Sequence, residues 1–348
     1  MNSDGVKIRE VDTVSILIVN WNGGRMLADC LESVSRQTWP NVEVIVVDNG
    51  STDDSWNLPY FQRSGWHLER YASNTGFSAA NNLAFRLSHG AFVALVNNDV
   101  TLAPDWTEKM VQQLKASPRA GSAACRLLQF SQPHLFDSAG VDWCSCGTVI
   151  DWKGFPGDWF TGRPHHPFGA VASAAMHRRS ALERVGMFRE PFFAYYEDTD
   201  LAARLQLFGY DCVFVNEAVA LHRGSATGGR SGHFRQYQLR RNVEYLYWIN
   251  MTGCLAWRYL ASHLIYELLA FGAMLLRGKG GVFIAAKKDF FKNLAWVKSE
   301  RQVLQEKLKE AGRWKTAHQE LARRVRPLRA VFFDRAKRPT RNSGSGIK

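Results

Sequence analysis

The residues of this chain that are best suited to chemistry lie in one short acidic segment. Glu197, Asp198 and Asp200 directly follow the aromatic run "FFAYY" at residues 192–196. Burial of a carboxylate beside aromatic rings raises its basicity, because a poorly solvated site disfavours the charged form. Such a carboxylate can take a proton from a hydroxyl group as the hydroxyl attacks an electrophile. The alternative is structural, because acidic residues stabilise the first turn of a helix, and we expect that role for Glu197 or Asp200.

Two further polar loops contain side chains that could hold a ligand. The loop "VVDNGSTDDS" contains Asp48 and Asp53, and the loop "VNNDV" contains Asn97, Asn98 and Asp99. One or two carboxylates together with phosphate oxygens are the usual ligands of Mg²⁺ or Mn²⁺. A carboxylate at the end of a strand can also accept a hydrogen bond from a ribose or a base. Each loop alone could be a solvated turn, so the order of the loops along the chain is the stronger argument.

The elements that must position these loops alternate between strands and helices. Short apolar runs predict buried strands, and spaced apolar residues predict helices between them. The predicted strands lie within 13–23, over 42–47 and over 91–99, with helices over 78–88 and 180–188. This alternation is typical of an α/β fold with a parallel sheet, which binds ligands at the carboxyl ends of its strands.

The basic charge of the chain is concentrated at its C-terminal end. The 348 residues have a formal net charge of +12. Residues 251–348 contain 21 Lys and Arg against 7 Asp and Glu, a net of +14, so the first 250 residues have a net of −2. This segregation favours a nearly neutral catalytic body with a basic tail for an anionic surface, and it argues against nucleic acid as the partner.

Cysteine usage and the first residues indicate the compartment. The six cysteines include no CxxC pair, and Cys144 and Cys146 are too close in sequence for an ordinary structural disulfide. This pattern favours buried thiols in a reducing cytosol. The opening residues "MNSDGVKIREVDT" lack the apolar core of a secretion signal, so we expect a cytoplasmic protein.

Several segments, in order, resemble the inverting glycosyltransferases of family 2, which have the GT-A nucleotide-sugar fold. The resemblance runs from about Val14 to Arg241 and is carried by "VSILIVNWNG", "LESVSRQTWPNVEVIVVDNGSTDDS", "NTGFSAANN", "LVNNDV", "YYEDTDL" and the "LH" at 221–222. It implies a mixed, mainly parallel sheet flanked by helices. Within the family the chain is most similar to bacterial rhamnosyltransferases that extend lipid-linked cell-surface glycans.

The resemblance also implies a role for each matching residue. Asp198 would be the catalytic base, and Asp99 with His222 would hold Mg²⁺ or Mn²⁺ at the donor diphosphate. Asn97 stands where the metal-binding motif usually has Asp, which removes one charge. A histidine at the end of a strand can also be structural. The residues expected to bind the donor are Asp48, Asp53, Asn74, Gly76, Asn82, Asn97, Asn98 and Arg241. The glycine-rich stretch 224–232 would form a lid over the donor.

The chemistry agrees with these roles. Inversion needs a base on the side of the sugar opposite the leaving nucleotide diphosphate, and a divalent ion suits the charge of that leaving group. The best guess for the donor is dTDP-L-rhamnose, although Asp48 would suit uracil or thymine, so a UDP-sugar is the alternative. The tryptophans Trp143, Trp152 and Trp159 could stack on an acceptor sugar or pack in the core.

The segment 255–276 is hydrophobic but contains Arg258, His263 and Glu267. These ionisable groups argue against a membrane-spanning helix. We expect an interfacial helix instead, with Lys287 and later basic residues facing anionic lipid. The alternative is an amphipathic pair of helices packed on the catalytic body or on a second subunit, which would give a homodimer.

These inferences combine into one hypothesis about organisation. We expect an N-terminal tail over 1–12, a GT-A catalytic domain over 13–245, a basic helical extension over 246–330 and a disordered tail over 331–348. The enzyme would be peripheral on the inner face of the cytoplasmic membrane and would use a lipid-linked or polysaccharide acceptor. One alternative is a sugar nucleotidyltransferase, but the stretch "VNWNGGRM" does not match the full glycine-rich signature of that class. The other is a non-catalytic lectin-like protein.

Overall fold

A mixed β-sheet lies at the centre of the computed structural model, which describes residues 12–224 and 232–336. The strands in these residues are β1 (Val14–Asn20), β2 (Val42–Asn49), β3 (Trp66–Tyr71), β4 (Phe92–Asn97), β5 (Val100–Leu102), β6 (Ala120–Gln129), β7 (Gln132–Ser138), β8 (Val141–Trp143), β9 (Val149–Asp151), β10 (Ala174–Arg178) and β11 (Asp211–His222). The main sheet has the order β3-β2-β1-β4-β10-β6-β11-β5, with β7 paired to β6. Strands β8 and β9 form a small separate sheet.

The first half of the sheet is parallel, as the sequence predicts. Strand β1 pairs in parallel with β2 and with β4, and β2 pairs in parallel with β3. All seven residues of β1, "VSILIVN", are buried, because helices cover both faces of a parallel sheet. The second half is mixed, since β10 is antiparallel to both of its neighbours.

Helices surround the sheet and continue to the C-terminal end of the described residues. They are α1 (Gly24–Ser35), α2 (Phe77–Leu87), α3 (Trp106–Ala116), α4 (Arg179–Val185), α5 (Glu197–Leu207), α6 (Gly232–Asn250), α7 (Leu255–Arg258), α8 (Leu260–Leu275), α9 (Gly280–Lys292), α10 (Leu294–Glu310), α11 (Trp314–Arg324) and α12 (Leu328–Ala336). Helix α4 ends earlier than the predicted 180–188, because Gly186 follows with a φ of 84°.

The C-terminal helices share one core with the preceding residues. The boundary expected at residue 245 lies inside α6, where Tyr245 and Tyr247 are fully buried. Leu304 and Leu321 of the later helices belong to the same apolar cluster as Trp143. The inner faces of these helices are therefore packed on the catalytic body, which was the alternative to an interfacial helix.

Two expectations about the ends of segments are affected by the structure. Residues 331–336 continue α12 and are not part of a disordered tail, because Val331 is buried in a cluster with Cys144 and Cys146. The remaining residues of that tail, the N-terminal residues 1–11 and most of the expected lid (225–231) lie outside the described residues.

Candidate active site

Polar residues at the carboxyl ends of three neighbouring strands form a continuous hydrogen-bonded row. Asn20 lies opposite Asp48 in the register of β1 and β2, and Val19 lies opposite Asn97 in β4. The amide of Asn20 donates to Asp48 at 2.9 Å and accepts from Asn98 at 2.9 Å. Asn20 thus links two loops that the sequence predicts separately, and it is a site residue that sequence reasoning missed. Its position in "VNWNG", directly after an apolar strand, was the available signal.

Asp48 is buried at the β2 end of this row. Its second oxygen accepts from Ser51 N and from Arg70 Nε, both at 3.3 Å. The guanidinium of Arg70 lies over the ring of Trp56 at 4.0 Å. Arg70 therefore covers Asp48, and direct contact between Asp48 and a base requires Arg70 to move.

The side chains of two other residues of the expected donor site form hydrogen bonds with backbone groups of neighbouring loops. Asp53 accepts from Ser55 N at 3.2 Å and from Gly24 N at 3.0 Å, which fastens its loop to the start of α1. Asn82 bonds both the N–H and the C=O of Phe188, at 3.0 and 2.9 Å. In this structure both side chains are therefore used for positioning, and their contact with a donor stays a prediction.

The loop before α2 passes close to the acidic segment. Asn74 accepts from Gly76 N at 2.9 Å, which shapes a tight turn. Gly76 has a φ of 94°, and a Cβ at this position would lie 2.6 Å from the ring of Phe193. Only glycine allows both the positive φ and the close approach of Phe193. The expected donor loop therefore packs directly on the aromatic run that precedes Asp198.

The two adjacent acids at the start of α5 have different environments. Glu197 is buried, and its Oε2 has no hydrogen-bond partner among the described residues. Burial and the neighbouring charge of Asp198 raise the pKa of Glu197 well above its usual range, which favours the neutral carboxyl. Asp198 retains partial exposure and accepts from Ala172 N at 3.3 Å and Thr199 N at 2.6 Å. Burial raises the pKa of Asp198 despite these donors.

The end of β4 and the start of α5 meet at one short segment. The backbone N–H of Asn97 donates to Ser173 O at 2.9 Å, and its side-chain amide donates to Ser173 Oγ at 3.3 Å. The preceding residue, Ala172, donates to Asp198. The structure thus brings the "NND" loop and Asp198 against two consecutive residues.

The pair expected to hold a metal is in direct contact. His222 Nε2 lies 3.2 Å from Asp99 Oδ1, and His222 Nδ1 lies 2.6 Å from Asp137 Oδ2. Asp137 also pairs with Lys153. Burial disfavours the charged imidazole, but hydrogen bonds to Asp137 and Asp99 raise the pKa of His222 to about 9. Asp137, on β7, is a second residue that sequence reasoning missed, since 85 residues separate it from His222.

The donor set at this pair fits a divalent ion that a diphosphate helps to bind. No group of three or more His, Cys, Asp or Glu side chains is arranged to hold a metal within 12–224 and 232–336. One carboxylate and one imidazole converge, and the remaining ligands of Mg²⁺ or Mn²⁺ are ordinarily phosphate oxygens and water. An ion would have to displace the proton that His222 Nε2 shares with Asp99, so metal binding at this pair stays a prediction.

Two other candidate residues are held inside the protein. Arg241 is buried under the acidic segment, where it donates to Pro191 O and Phe192 O at 3.0 and 3.1 Å and pairs with Asp289. This placement supports the loop and leaves donor contact a prediction. Trp143 is fully buried and donates to Gly147 O at 3.0 Å, so it packs in the core and does not face a sugar.

Asp200 forms a buried ion-pair network that anchors α5. It lies 2.5 Å from Arg189, 2.9 Å from Arg204 and 2.7 Å from the Asn250 amide. Arg189 also pairs with Glu300 of α10 at 2.7 Å. Burial opposes ionisation, but the charges of Arg189 and Arg204 hold the pKa of Asp200 below its usual range.

Replacing Asp200 with alanine is expected to lower the free energy of unfolding by about 3–5 kcal/mol, because the buried guanidinium of Arg204 loses its carboxylate partner and Arg189 keeps only Glu300. Urea denaturation measures this loss. The contribution of Asp200 is complete above its unfolded-state pKa of about 3.9 and is lost as the pH falls through the lower folded-state value. The difference in free energy of unfolding between the variant and the wild type should therefore become smaller at acidic pH.

The matched control is Glu300→Ala, which removes the partly exposed partner of the same Arg189. That change should cost no more than about 1 kcal/mol. Equal losses for the two variants would contradict the network described here.

Comparisons with known proteins agree with this geometry. Residues 15–186 match the family model "Glycosyl transferase family 2". The chain is 28% identical over 246 residues to an N-acetylglucosaminyl-diphospho-decaprenol L-rhamnosyltransferase of Mycobacterium tuberculosis, covering 63% of this chain and 78% of that protein. It is 28% identical over 244 residues to the O-antigen biosynthesis protein RfbC of Myxococcus xanthus, covering 63% of this chain but 18% of that protein.

A solved structure supports the fold assignment. The structure of GalNAc-T7 with UDP, GalNAc and Mn²⁺ is similar with a TM-score of 0.60 at 13% identity, covering 83% of this chain and 57% of that chain. The chain spans less than a third of the length of several curated relatives that it matches.

The sheet order and the similarity to a solved GT-A neighbour show a GT-A-like fold. The chain contains a glycosyl transferase family 2 domain over residues 15–186. The family and the fold class expected from the sequence are both confirmed.

Proposed function

We propose that this enzyme transfers a sugar from a nucleotide-diphosphate donor to a hydroxyl group, with inversion, in the synthesis of a bacterial cell-surface glycan. The observation that carries the proposal is the row of contacts from Asp48 through Asn20 and Asn98, with Asn97 and Asp198 meeting at 172–173. Asp48 lies at the end of this row where the nucleoside would bind. Asp198 lies at the other end as the catalytic base, so a donor sugar would lie between them.

The two adjacent acids have distinct roles in this reaction. Asp198, which is partly exposed, accepts the proton of the acceptor hydroxyl as its oxygen attacks the anomeric carbon. Glu197 is buried, and its raised pKa favours the neutral form, which would limit a second negative charge beside the base. The aromatic residues of "FFAYY" exclude water from this region, which limits hydrolysis of the donor. Asp99 and His222 would hold a divalent ion, which would neutralise charge on the leaving diphosphate.

The donor is proposed to be dTDP-L-rhamnose. Support comes from the relative in Mycobacterium tuberculosis that is named a rhamnosyltransferase. A UDP-sugar is the second candidate, because a carboxylate at Asp48 accepts equally well from the imide N–H of uracil and of thymine.

A donor screen tests this proposal. Thermal shift with Mn²⁺ should show the largest rise in Tm for dTDP-L-rhamnose, and dTDP should be released when an acceptor is added. Release of pyrophosphate from a nucleoside triphosphate would instead favour a nucleotidyltransferase. Stabilisation by free sugars alone, with no release of nucleotide, would favour a lectin-like protein.

The acceptor is proposed to be lipid-linked and to be reached at an anionic membrane surface. In helix α8, the ionisable side chains of His263 and Glu267 face the protein interior, and several large apolar side chains face solvent. Glu267 pairs with Lys287 at 2.5 Å, and His263 contacts Glu244 at 3.0 Å, all on the buried side. The exposed residues of α8 and the adjoining turn, here called the leucine face, are Leu264, Ile265, Leu268, Leu269, Leu275 and Leu276.

This arrangement corrects two expectations about the tail. His263 and Glu267 do not interrupt an apolar surface, because both point into the protein. Lys287 does not face lipid, since it neutralises Glu267 and Glu244 within the protein. Lys288 and Lys292 are exposed as expected. No helix in the described part of the chain has the length and hydropathy needed to cross a bilayer.

An apolar face beside exposed lysines fits the surface of an anionic bilayer. Leu268 and Leu276 are 70% and 91% exposed, so large apolar side chains meet water along much of α8. The basic residues Arg277, Lys288 and Lys292 are exposed on the same hairpin, which supplies the complementary charge. We therefore place the lipid contact at the leucine face.

Replacing both Leu264 and Leu268 with glutamine is expected to release the protein from anionic liposomes. The fold should be retained, because both side chains are more than half exposed. Flotation with phosphatidylglycerol vesicles at low salt measures the bound fraction, which should fall at least about tenfold for two large apolar side chains. Val303→Gln, at an exposed apolar position on α10, is the matched control. Flotation of the double variant at the wild-type level would disprove this docking surface.

A further inference from the structure

The segment before α5 has an unusual backbone. Phe193, Tyr195 and Tyr196 all have positive φ angles, of 63°, 71° and 71°. Phe193 also has a ψ of −62°, and Ala194 N donates to Phe192 O at 2.7 Å. These values describe a γ-turn of the rare, strained kind. Side chains with a Cβ adopt such angles only where the surrounding structure over-determines them.

One side chain on α6 supplies that constraint. The amide nitrogen of Asn242 lies 2.8 Å from Phe192 O, 2.9 Å from Ala194 O and 2.7 Å from Tyr195 O. Asn242 is fully buried. Three carbonyl groups of one four-residue stretch therefore point at a single donor group, an arrangement that an extended or helical backbone cannot make. Arg241 extends the contact to Pro191 O.

We infer that Asn242 is a positioning residue that holds this turn in its strained form and so sets the place of Asp198. The inference rests on the proposed role of Asp198 as base. Asn242 contacts neither of the adjacent acids, and its effect passes through the backbone of residues 192–196.

The turn is hydrogen-bonded to both α2 and α5, so its shape affects the position of each helix. Phe193 O accepts from Ser78 N at 3.1 Å, which joins the turn to the first turn of α2. Tyr196 O accepts from Asp200 N at 2.9 Å in the first turn of α5. Relaxation of the turn would therefore move the start of α5 relative to the loop that contains Gly76. Small displacements of a catalytic group from its reacting atom are costly in rate.

Two measurements on Asn242→Ala test the inference. The first is hydrogen exchange of the peptide that covers residues 190–197, which should exchange faster because the turn is no longer held. The second is kinetics with a saturating donor, where kcat should fall by on the order of 10–10²-fold while the donor KM changes little. Asn242→Ser keeps one donor proton and should fall between alanine and wild type. It also replaces the alanine variant if that variant does not fold.

Tyr247→Phe is the matched control. It lies on the same helix, is fully buried and loses a hydrogen bond to Ala256 O at 2.5 Å, away from the turn. It should lower Tm without changing kcat or the exchange of 190–197. The inference is overturned if Asn242→Ala leaves that exchange unchanged, or if its kcat falls no more than that of Tyr247→Phe. A wild type without transferase activity would instead refute the proposed function, while the exchange result would still decide whether Asn242 holds the turn.

Discussion

Replacing Asp198 with asparagine is expected to lower kcat by on the order of 10²–10⁴ and to leave donor binding nearly unchanged. Asparagine keeps the size of the side chain and can be accommodated beside Thr199 N and Ala172 N, but it cannot accept a proton at neutral pH. Asp198 is the acid of its segment that is both partly exposed and raised in pKa by burial. Steady-state kinetics and calorimetric titration of the donor measure the two quantities separately.

Glu197→Gln provides the control that separates the two neighbouring acids. Because burial and the charge of Asp198 raise the pKa of Glu197 well above its usual range and favour the neutral carboxyl, glutamine is a close replacement in size and charge. The effect on kcat should be small compared with that of Asp198→Asn. If Glu197→Gln lost the activity and Asp198→Asn kept it, the base would be Glu197 and the proposed mechanism would be wrong.

The second large effect is expected at Asp99. Asp99→Asn keeps a group that can contact His222 but removes the charge that would bind a divalent ion. We expect kcat to fall by on the order of 10²–10³, the usual cost of removing one preorganised stabiliser of developing charge. Titration of Mn²⁺ in the presence of dTDP, followed by electron paramagnetic resonance, should show weaker binding independently of activity.

Asp53→Asn is the control for charge at this edge of the sheet. Asp53 contacts backbone N–H groups at the start of α1 and makes no contact with the pair formed by Asp99 and His222. Its replacement should leave Mn²⁺ binding unchanged. Unaltered Mn²⁺ binding in Asp99→Asn would remove the proposed metal site, and so would wild-type turnover that persists in excess chelator.

The parallel half of the fold was predictable because its strands are nearly pure apolar runs. Strands β1, β2 and β4 each end in polar residues, and parallel strands bring those ends to one edge. Asp48 and Asp99 could therefore be placed as candidates before any coordinates, and Asp198 was a candidate because it follows the aromatic run. A resemblance carried by several motifs in order supplied their roles.

The contacts that escaped prediction join residues that are distant in sequence. Asp137 reaches His222 across 85 residues, and Asn242 reaches the turn before α5 across about 50. Neither lies in a pattern that identifies its partner. Similarly, the hydropathy of α8 shows how apolar the helix is, but not which side faces the protein. The ion pairs of Glu267 and His263 determine that orientation, and they require partners on α6 and α9.

The buried ion pairs of α8 have a geometric consequence for substrate selection. They fasten α8 to α6, and α6 in turn grips the turn that precedes Asp198. The ion pairs between α6 and α8 bridge the break at 251–254, so a flat surface pressed against the leucine face would sit at a nearly constant height from Asp198. If the proposed function holds, the enzyme would prefer growing glycans whose terminal hydroxyl stands at that height over those that are shorter or longer.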